Sequence, residues 1–160
     1  MISSAHCALF SRELANTRGS DATTTYMAEQ AQKIADNCPD ASITIIRGDD
    51  LLGQDMRMLY AVGKAASNPP QLVHLKYRGG STDSRPIAIV GKGVTFDTGG
   101  VNLKPTGFIE DQYMDKSGSC ITLSLFKWVT ENKIPINIDC VLALAENAID
   151  SRSFLPGDIL

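Results

Sequence analysis

The sequence predicts an α/β protein in which a mixed, largely buried sheet is flanked by helices. Three observations lead to this prediction: apolar runs of strand length alternate with amphipathic helical segments, several of those runs are β-branched, and Pro- or Gly-containing breaks separate the segments. Residues 87–90 are continuously apolar, which is typical of a strand covered on both faces.

The first half of the chain predicts two helices and one strand. Residues 21–38 open with capping residues, repeat apolar side chains at helical spacing and stop at Pro39, so they predict a helix. Residues 41–46 alternate and are β-branched, which predicts a short strand. Residues 51–66 show a second helical pattern, and residues 67–70 break it. No element is predicted before residue 21, where no long amphipathic run occurs.

The second half predicts three strands and one helix around a charged, Gly-rich stretch. We expect a strand at residues 71–77, a loop at residues 78–86 and a fully buried strand at residues 87–90. The Gly-rich stretch covers residues 91–115, and a helix at residues 121–133 and a last strand at residues 135–144 follow it. The Gly-rich stretch follows the buried strand directly, where loops of α/β sheets carry polar groups.

Composition excludes several classes of protein. The chain of 160 residues is 43% hydrophobic and 21% charged with a net charge of −3, which disfavours disorder and an electrostatic nucleic-acid partner. No apolar run reaches the roughly 18 residues of a membrane span, and no secretory signal begins the chain. The four cysteines follow no zinc or redox spacing, so we expect reduced thiols in a cytoplasmic protein.

Four ionisable residues in the Gly-rich stretch form the candidate site: Lys92, Asp97, Lys104 and Asp115. Carboxylates in tight Gly turns suit a divalent cation that can activate water. A lysine beside them can stay charged and polarise a carbonyl oxygen, or lose its proton and bind metal as an amine.

Other interpretations of the same residues stay open at this point. The segment from Asp97 to Gly100 is also typical of a simple turn, and Asp115 of a helix cap. A phosphate cradle is less favoured, because the stretch matches neither the P-loop nor the dinucleotide pattern. His74 lies in an apolar strand pattern and is interpreted as a structural residue, and no nucleophile-elbow motif is present.

Residues 90–104, Val-Gly-Lys-Gly-Val-Thr-Phe-Asp-Thr-Gly-Gly-Val-Asn-Leu-Lys, resemble the metal-site signature of the leucyl (cytosol) aminopeptidases. Weaker similarity extends over nearly the whole chain. The resemblance implies two divalent ions, zinc or manganese with magnesium or cobalt also suited, that activate a water against a peptide carbonyl. It implies peptide substrates with a free N-terminus and a homo-hexamer, and neither a nucleic-acid nor a membrane partner.

The resemblance also implies a role for each site residue. Lys92 would bind one metal through its amine, and Asp115 would bind the same metal. Asp97 would bridge the two metals. Lys104 would not bind metal, and would polarise the scissile carbonyl or stabilise the oxyanion. Gln112 stands where the family usually has an apolar residue in the pocket for the first side chain, so a preference for leucine does not follow.

The remaining family ligands and its catalytic arginine lie in a motif that would fall beyond Leu160. The resemblance therefore implies that residues 1–160 are an incomplete catalytic domain, with lead-in helices and a strand in residues 1–70 and the metal-site half in residues 71–160. We expect this chain to be inactive alone. An alternative function is a non-catalytic short subunit that assembles with full-length relatives.

Overall fold

The protein is built on a four-stranded sheet, and the computed structural model describes its residues 2–160. The elements in chain order are α1 (Ile2–Asn16), α2 (Thr24–Asp36), β1 (Ala41–Arg47), α3 (Asp50–Gly53), α4 (Arg57–Gly63), β2 (Gln71–Arg78), β3 (Ile87–Asp97), a 3-10 turn (Gln112–Lys116), α5 (Ser117–Glu131) and β4 (Asn137–Asn147). These elements confirm the predicted α/β class.

The sheet is mixed, as predicted, with the strand order β1-β2-β4-β3. β1 pairs with β2 and β2 pairs with β4 in antiparallel fashion, whereas β3 and β4 run parallel. Because β3 and β4 point the same way, their carboxyl ends meet at one edge of the sheet, where Asp97 lies opposite Asn147. That edge carries the polar residues of the candidate site.

The core lies between one face of the sheet and the helices. Every second residue of β2 and β4 is buried on that face, and α2 and α5 cover it with Met27, Leu123 and Phe126, each fully buried. α2 begins as its sequence predicts, because the hydroxyl of Thr23 accepts a hydrogen bond from the Tyr26 backbone N–H at 3.2 Å. The fully buried strand expected at residues 87–90 was wrong, because β3 forms one edge of the sheet and its Ile87 and Val90 are 54% and 71% exposed.

Two expectations for the first half were wrong. Residues 2–16 form α1, which was not predicted because its apolar residues are not confined to one side: Leu9 is 59% exposed, whereas Cys7 and Leu14 are buried where α1 packs against α5. The single helix expected at residues 51–66 is two short helices. Asp55 separates them with a φ of 58°, a left-handed conformation that interrupts the helical hydrogen bonds.

The predicted cysteine and histidine roles are confirmed in the described residues. All four cysteines are free thiols. Burial raises the pKa of Cys120 to about 11 and that of Cys140 to about 12, so both stay protonated and pack as small apolar groups. His74 is a structural residue, since its Nε2 lies 2.9 Å from Oδ1 of Asp139. Across residues 2–160, the structure contains no helix with the length and apolarity that a membrane span requires.

Asp139 makes the stability of the sheet depend on pH. Burial raises its pKa, but hydrogen bonds from Arg78 and His74 and their charges outweigh burial and lower it below the ordinary value. The stabilisation is therefore complete above the unfolded pKa of about 3.9 and is lost as the pH falls through the depressed folded pKa.

We expect Asp139→Asn to unfold at lower urea concentration than the wild type at pH 7, and the difference to shrink as the pH falls below about 3.9. Urea denaturation at several pH values measures this, with Asp83→Asn in an exposed loop as control. A difference that stays constant across the pH range would contradict the role of the Asp139 carboxylate.

Candidate metal centre

The backbone of β3 lies directly against the first turn of α5. A Cβ atom on Gly91 would lie 2.7 Å from the carbonyl oxygen of Gly118 and from Cα of Ser119, and one on Gly93 would lie 2.5 Å from Oγ of Ser119. Ser119 also donates a hydrogen bond of 2.8 Å to the Gly91 carbonyl. Only glycine permits this approach, which sets Lys92 beside the turn that precedes α5.

Lys92 and Asp115 form an ion pair. The Gly-rich residues 91–93 were expected in a loop but extend β3, which runs to Asp97 because its ladder with β4 continues. The Lys92 ammonium donates to Oδ2 of Asp115. Interpreting Asp115 as a helix cap is wrong, because Lys116 is the N-cap residue of α5 and makes no side-chain cap bond.

Asp97 uses both of its carboxylate oxygens. Oδ1 accepts hydrogen bonds from the Gly99 backbone N–H at 2.9 Å and from Nδ2 of Asn147 at 2.7 Å. Oδ2 accepts from Nζ of Lys104 at 2.5 Å. Burial raises the pKa of Asp97, but these three donors together outweigh burial and lower it below the usual value, so the carboxylate stays ionised.

A tight loop after β3 returns Lys104 to Asp97. Gly99 and Gly100 have φ angles of 88° and 68°, a left-handed region that favours glycine. The loop closes through the backbone bond from Lys104 N–H to the Thr98 carbonyl at 2.9 Å. The Thr98 hydroxyl in turn donates to the Asn147 carbonyl at 2.6 Å, which ties the loop to β4. The Asp97 segment is thus a turn, and the turn orients the candidate site residues.

Gln112 lies beside Lys104. Its Oε1 accepts a hydrogen bond of 2.8 Å from Lys104 Nζ, and its Nε2 donates to the Phe108 carbonyl at 3.0 Å. Gln112 and Asp115 are three residues apart on the 3-10 turn, so their side chains project from the same side of it. One contacts Lys104 and the other contacts Lys92, and the turn therefore connects the two clusters.

The structure thus places all five predicted site residues at the same edge of the sheet, in two contact clusters. The four charged ones form two pairs, with one ammonium against each carboxylate. No group of three or more His, Cys, Asp or Glu side chains that could hold a metal occurs in residues 2–160. A metal site built here would therefore depend on lysine nitrogen together with the two carboxylates.

Sequence reasoning assigned no site role to Asn147 and no contact to Lys116. Asn147 was noted only as part of a similar segment, and the strand register that brings it to Asp97 cannot be read from local spacing. Lys116 is fully buried, and its ammonium donates to the carbonyls of Tyr113, Thr17 and Ala15 at 2.5, 2.7 and 3.5 Å. These bonds fasten the 3-10 turn to the end of α1, which the sequence did not predict.

Comparisons with known proteins match nearly the whole chain. Residues 9–160 match the cytosol aminopeptidase family, catalytic domain. The probable cytosol aminopeptidase of Thioalkalivibrio sulfidiphilus is 38% identical over 149 residues, which are 93% of this chain and 30% of that protein. The chain thus spans about 30% of the length of the curated relatives that it matches.

Solved structures of similar fold include a leucine aminopeptidase, and the chain again covers about a third of their length. The leucine aminopeptidase of Caenorhabditis elegans has a TM-score of 0.92 at 27% identity, over 98% of this chain and 32% of that one. The bottromycin maturation enzyme BotP in complex with Mn has a TM-score of 0.88 at 28% identity, over 98% of this chain and 33% of that one.

The close contact between β3 and α5 predicts a strong effect of one methyl group. Gly91→Ala should lower the free energy of unfolding by about 3 kcal/mol, because two of the three nearest atoms, in Gly118 and Ser119, are backbone and cannot rotate away. Gly53→Ala is the matched control, since a Cβ there meets nothing within 4 Å. Urea denaturation measures both variants. Equal stability of the two would contradict the contact.

Proposed function

Because the chain belongs to the cytosol aminopeptidase family, we propose that it forms part of the active site of a metal-dependent aminopeptidase, which releases N-terminal residues from peptides. The observation that carries the proposal is the pairing of Lys92 with Asp115 and of Lys104 with Asp97 at the carboxyl edge of β3. Two carboxylates gathered with two lysines suit cation binding and the stabilisation of a developing negative charge.

Two divalent cations are the proposed cofactors, and the residues present fit them. Each carboxylate directs one oxygen at an ammonium, and a cation could take the place of that ammonium at the oxygen; Lys92 Nζ and Asp115 Oδ2 lie in contact. Bound ions would supply Lewis acidity towards a water and a substrate carbonyl. Zinc or manganese suits this mixture of oxygen and nitrogen donors, as do magnesium and cobalt; manganese is the metal bound in BotP.

The chain's own residues would divide the work by their surroundings. Lys92 would give up its proton and hold one ion with Asp115. Asp97 would bridge both ions, and its orientation is already fixed through Oδ1 by Gly99 and Asn147. Lys104 would stay charged and bind the peptide carbonyl oxygen as negative charge develops there.

The family also suggests the wider setting of this site. We propose peptides with a free N-terminus as substrates, a cytoplasmic location and a homo-hexamer, with no nucleic-acid or membrane partner. Gln112 would lie at the pocket for the first side chain of the substrate.

We expect Lys104→Met to lower kcat/KM for a leucine anilide by about 100-fold or more in the intact protein, because the carbonyl loses its positively charged partner.

Asp97→Asn should lose activity together with bound metal. A chelator should abolish wild-type turnover, and added manganese or zinc should restore it.

Steady-state kinetics with metal analysis measures these changes. Lys33→Met, on the exposed side of α2, is the matched control for loss of a lysine. Turnover by Lys104→Met close to that of the control, or wild-type turnover that survives complete metal removal, would refute the proposal.

A further inference from the structure

The carboxamide of Gln112 is held at both of its ends. Its Nε2 donates to the Phe108 carbonyl at 3.0 Å, and its Oε1 accepts from Lys104 Nζ at 2.8 Å. The Phe108 bond identifies which end of the amide faces Lys104, because a carbonyl can accept only from the N–H side. The oxygen is therefore directed at the ammonium by the local backbone.

The two acceptors of Lys104 differ in charge. Asp97 Oδ2 is an anion at 2.5 Å, and Gln112 Oε1 is a neutral dipole. A cation that took Oδ2 of Asp97 would repel the ammonium and remove its ion-pair partner. The bond to Gln112 would remain, because its carboxamide oxygen is neutral and attracts a cation less strongly than a carboxylate does, and the bond to Phe108 keeps that oxygen directed at Lys104.

A neutral oxygen at this position can therefore accept a hydrogen bond from the Lys104 ammonium, which an apolar side chain cannot do. The thioether of methionine is only a weak acceptor and could not replace the bond to an ammonium. The lysine side chain has four rotatable bonds and loses much conformational freedom when it is fixed. An acceptor that already holds the ammonium lowers the entropic cost of fixing the Lys104 side chain when it binds the substrate carbonyl.

We propose that Gln112 is a positioning residue that keeps the Lys104 ammonium in place when a cation occupies Asp97. The proposal rests on the function proposed above for Lys104. Gln112 acts through Lys104 and not on the substrate directly, and this distinguishes it from a residue that only lines a pocket.

The direct test measures the Lys104 ammonium by NMR in the full 160-residue chain, with ¹⁵N-labelled lysine and with Zn²⁺ added as a diamagnetic probe. The wild type should show an ordered, slowly exchanging Lys104 ammonium, identified by its loss in Lys104→Met. Gln112→Met should lower its order parameter and speed its exchange. Gln32→Met, which removes a surface carboxamide bonded to Asp36, is the matched control and should change nothing.

An equally ordered ammonium in Gln112→Met would overturn the proposal. This comparison needs no catalytic turnover, so it decides about Gln112 even if the intact protein proves not to be an aminopeptidase.

Kinetics of the intact protein separate positioning from pocket lining. Gln112→Met should lower kcat about tenfold for every first residue tested and change KM little, and it should have no further effect in a Lys104→Met background. Effects that change KM according to the first side chain, or that add fully to those of Lys104→Met, would show a pocket role and overturn positioning. Absence of wild-type turnover would refute the proposed function instead.

Discussion

The close contact between the backbone of β3 and the start of α5 is the constraint on which the rest of the site depends. Glycines at positions 91, 93 and 118 remove the side chains that would hold the two elements apart. The 3-10 turn that leads into α5 is thereby brought alongside β3, so that Asp115 meets Lys92 and Gln112 meets Lys104. The pairing of the charged residues thus depends on three glycines that let β3 and α5 approach closely.

Charge balance is the second requirement of this arrangement. Asp97 is partly buried, and its ionised form is maintained by three donors from two segments: Gly99 and Lys104 in the loop after β3, and Asn147 at the end of β4. Lys116 meets the same requirement differently, because its buried ammonium is satisfied by three backbone carbonyls. Burial lowers the pKa of Lys116, which is the expected cost of removing an ammonium from water. The 3-10 turn is therefore fixed to the end of α1 through Lys116, while its Asp115 side chain faces the site.

The sequence was sufficient for the features encoded locally. Lys92, Asp97 and Lys104 lie within one short Gly-rich segment, residues 92–104, so position in the chain and residue chemistry together marked them as candidates. Asn147 could not be assigned a role in this way, because its contact with Asp97 exists only through the parallel register of β3 and β4. The anchoring of Lys116 depends on α1, whose apolar residues also occur on its exposed side, as at Leu9, and therefore give a weak helical pattern. The extension of β3 through residues 91–97 was missed because glycine usually weakens a strand.

The central proposal is that the Lys92–Asp115 pair and Asp97 together bind divalent cations, and paramagnetic NMR of the 160-residue chain with Mn²⁺ tests it most directly. Signals near a bound Mn²⁺ broaden with a steep dependence on distance. The account predicts that broadening begins at these three residues and their neighbours Gly99 and Asn147, and that it disappears in the Asp97→Asn, Asp115→Asn double variant. Broadening that begins elsewhere, such as at the acidic pair Asp49 and Asp50, or that survives in the double variant, would contradict the claim.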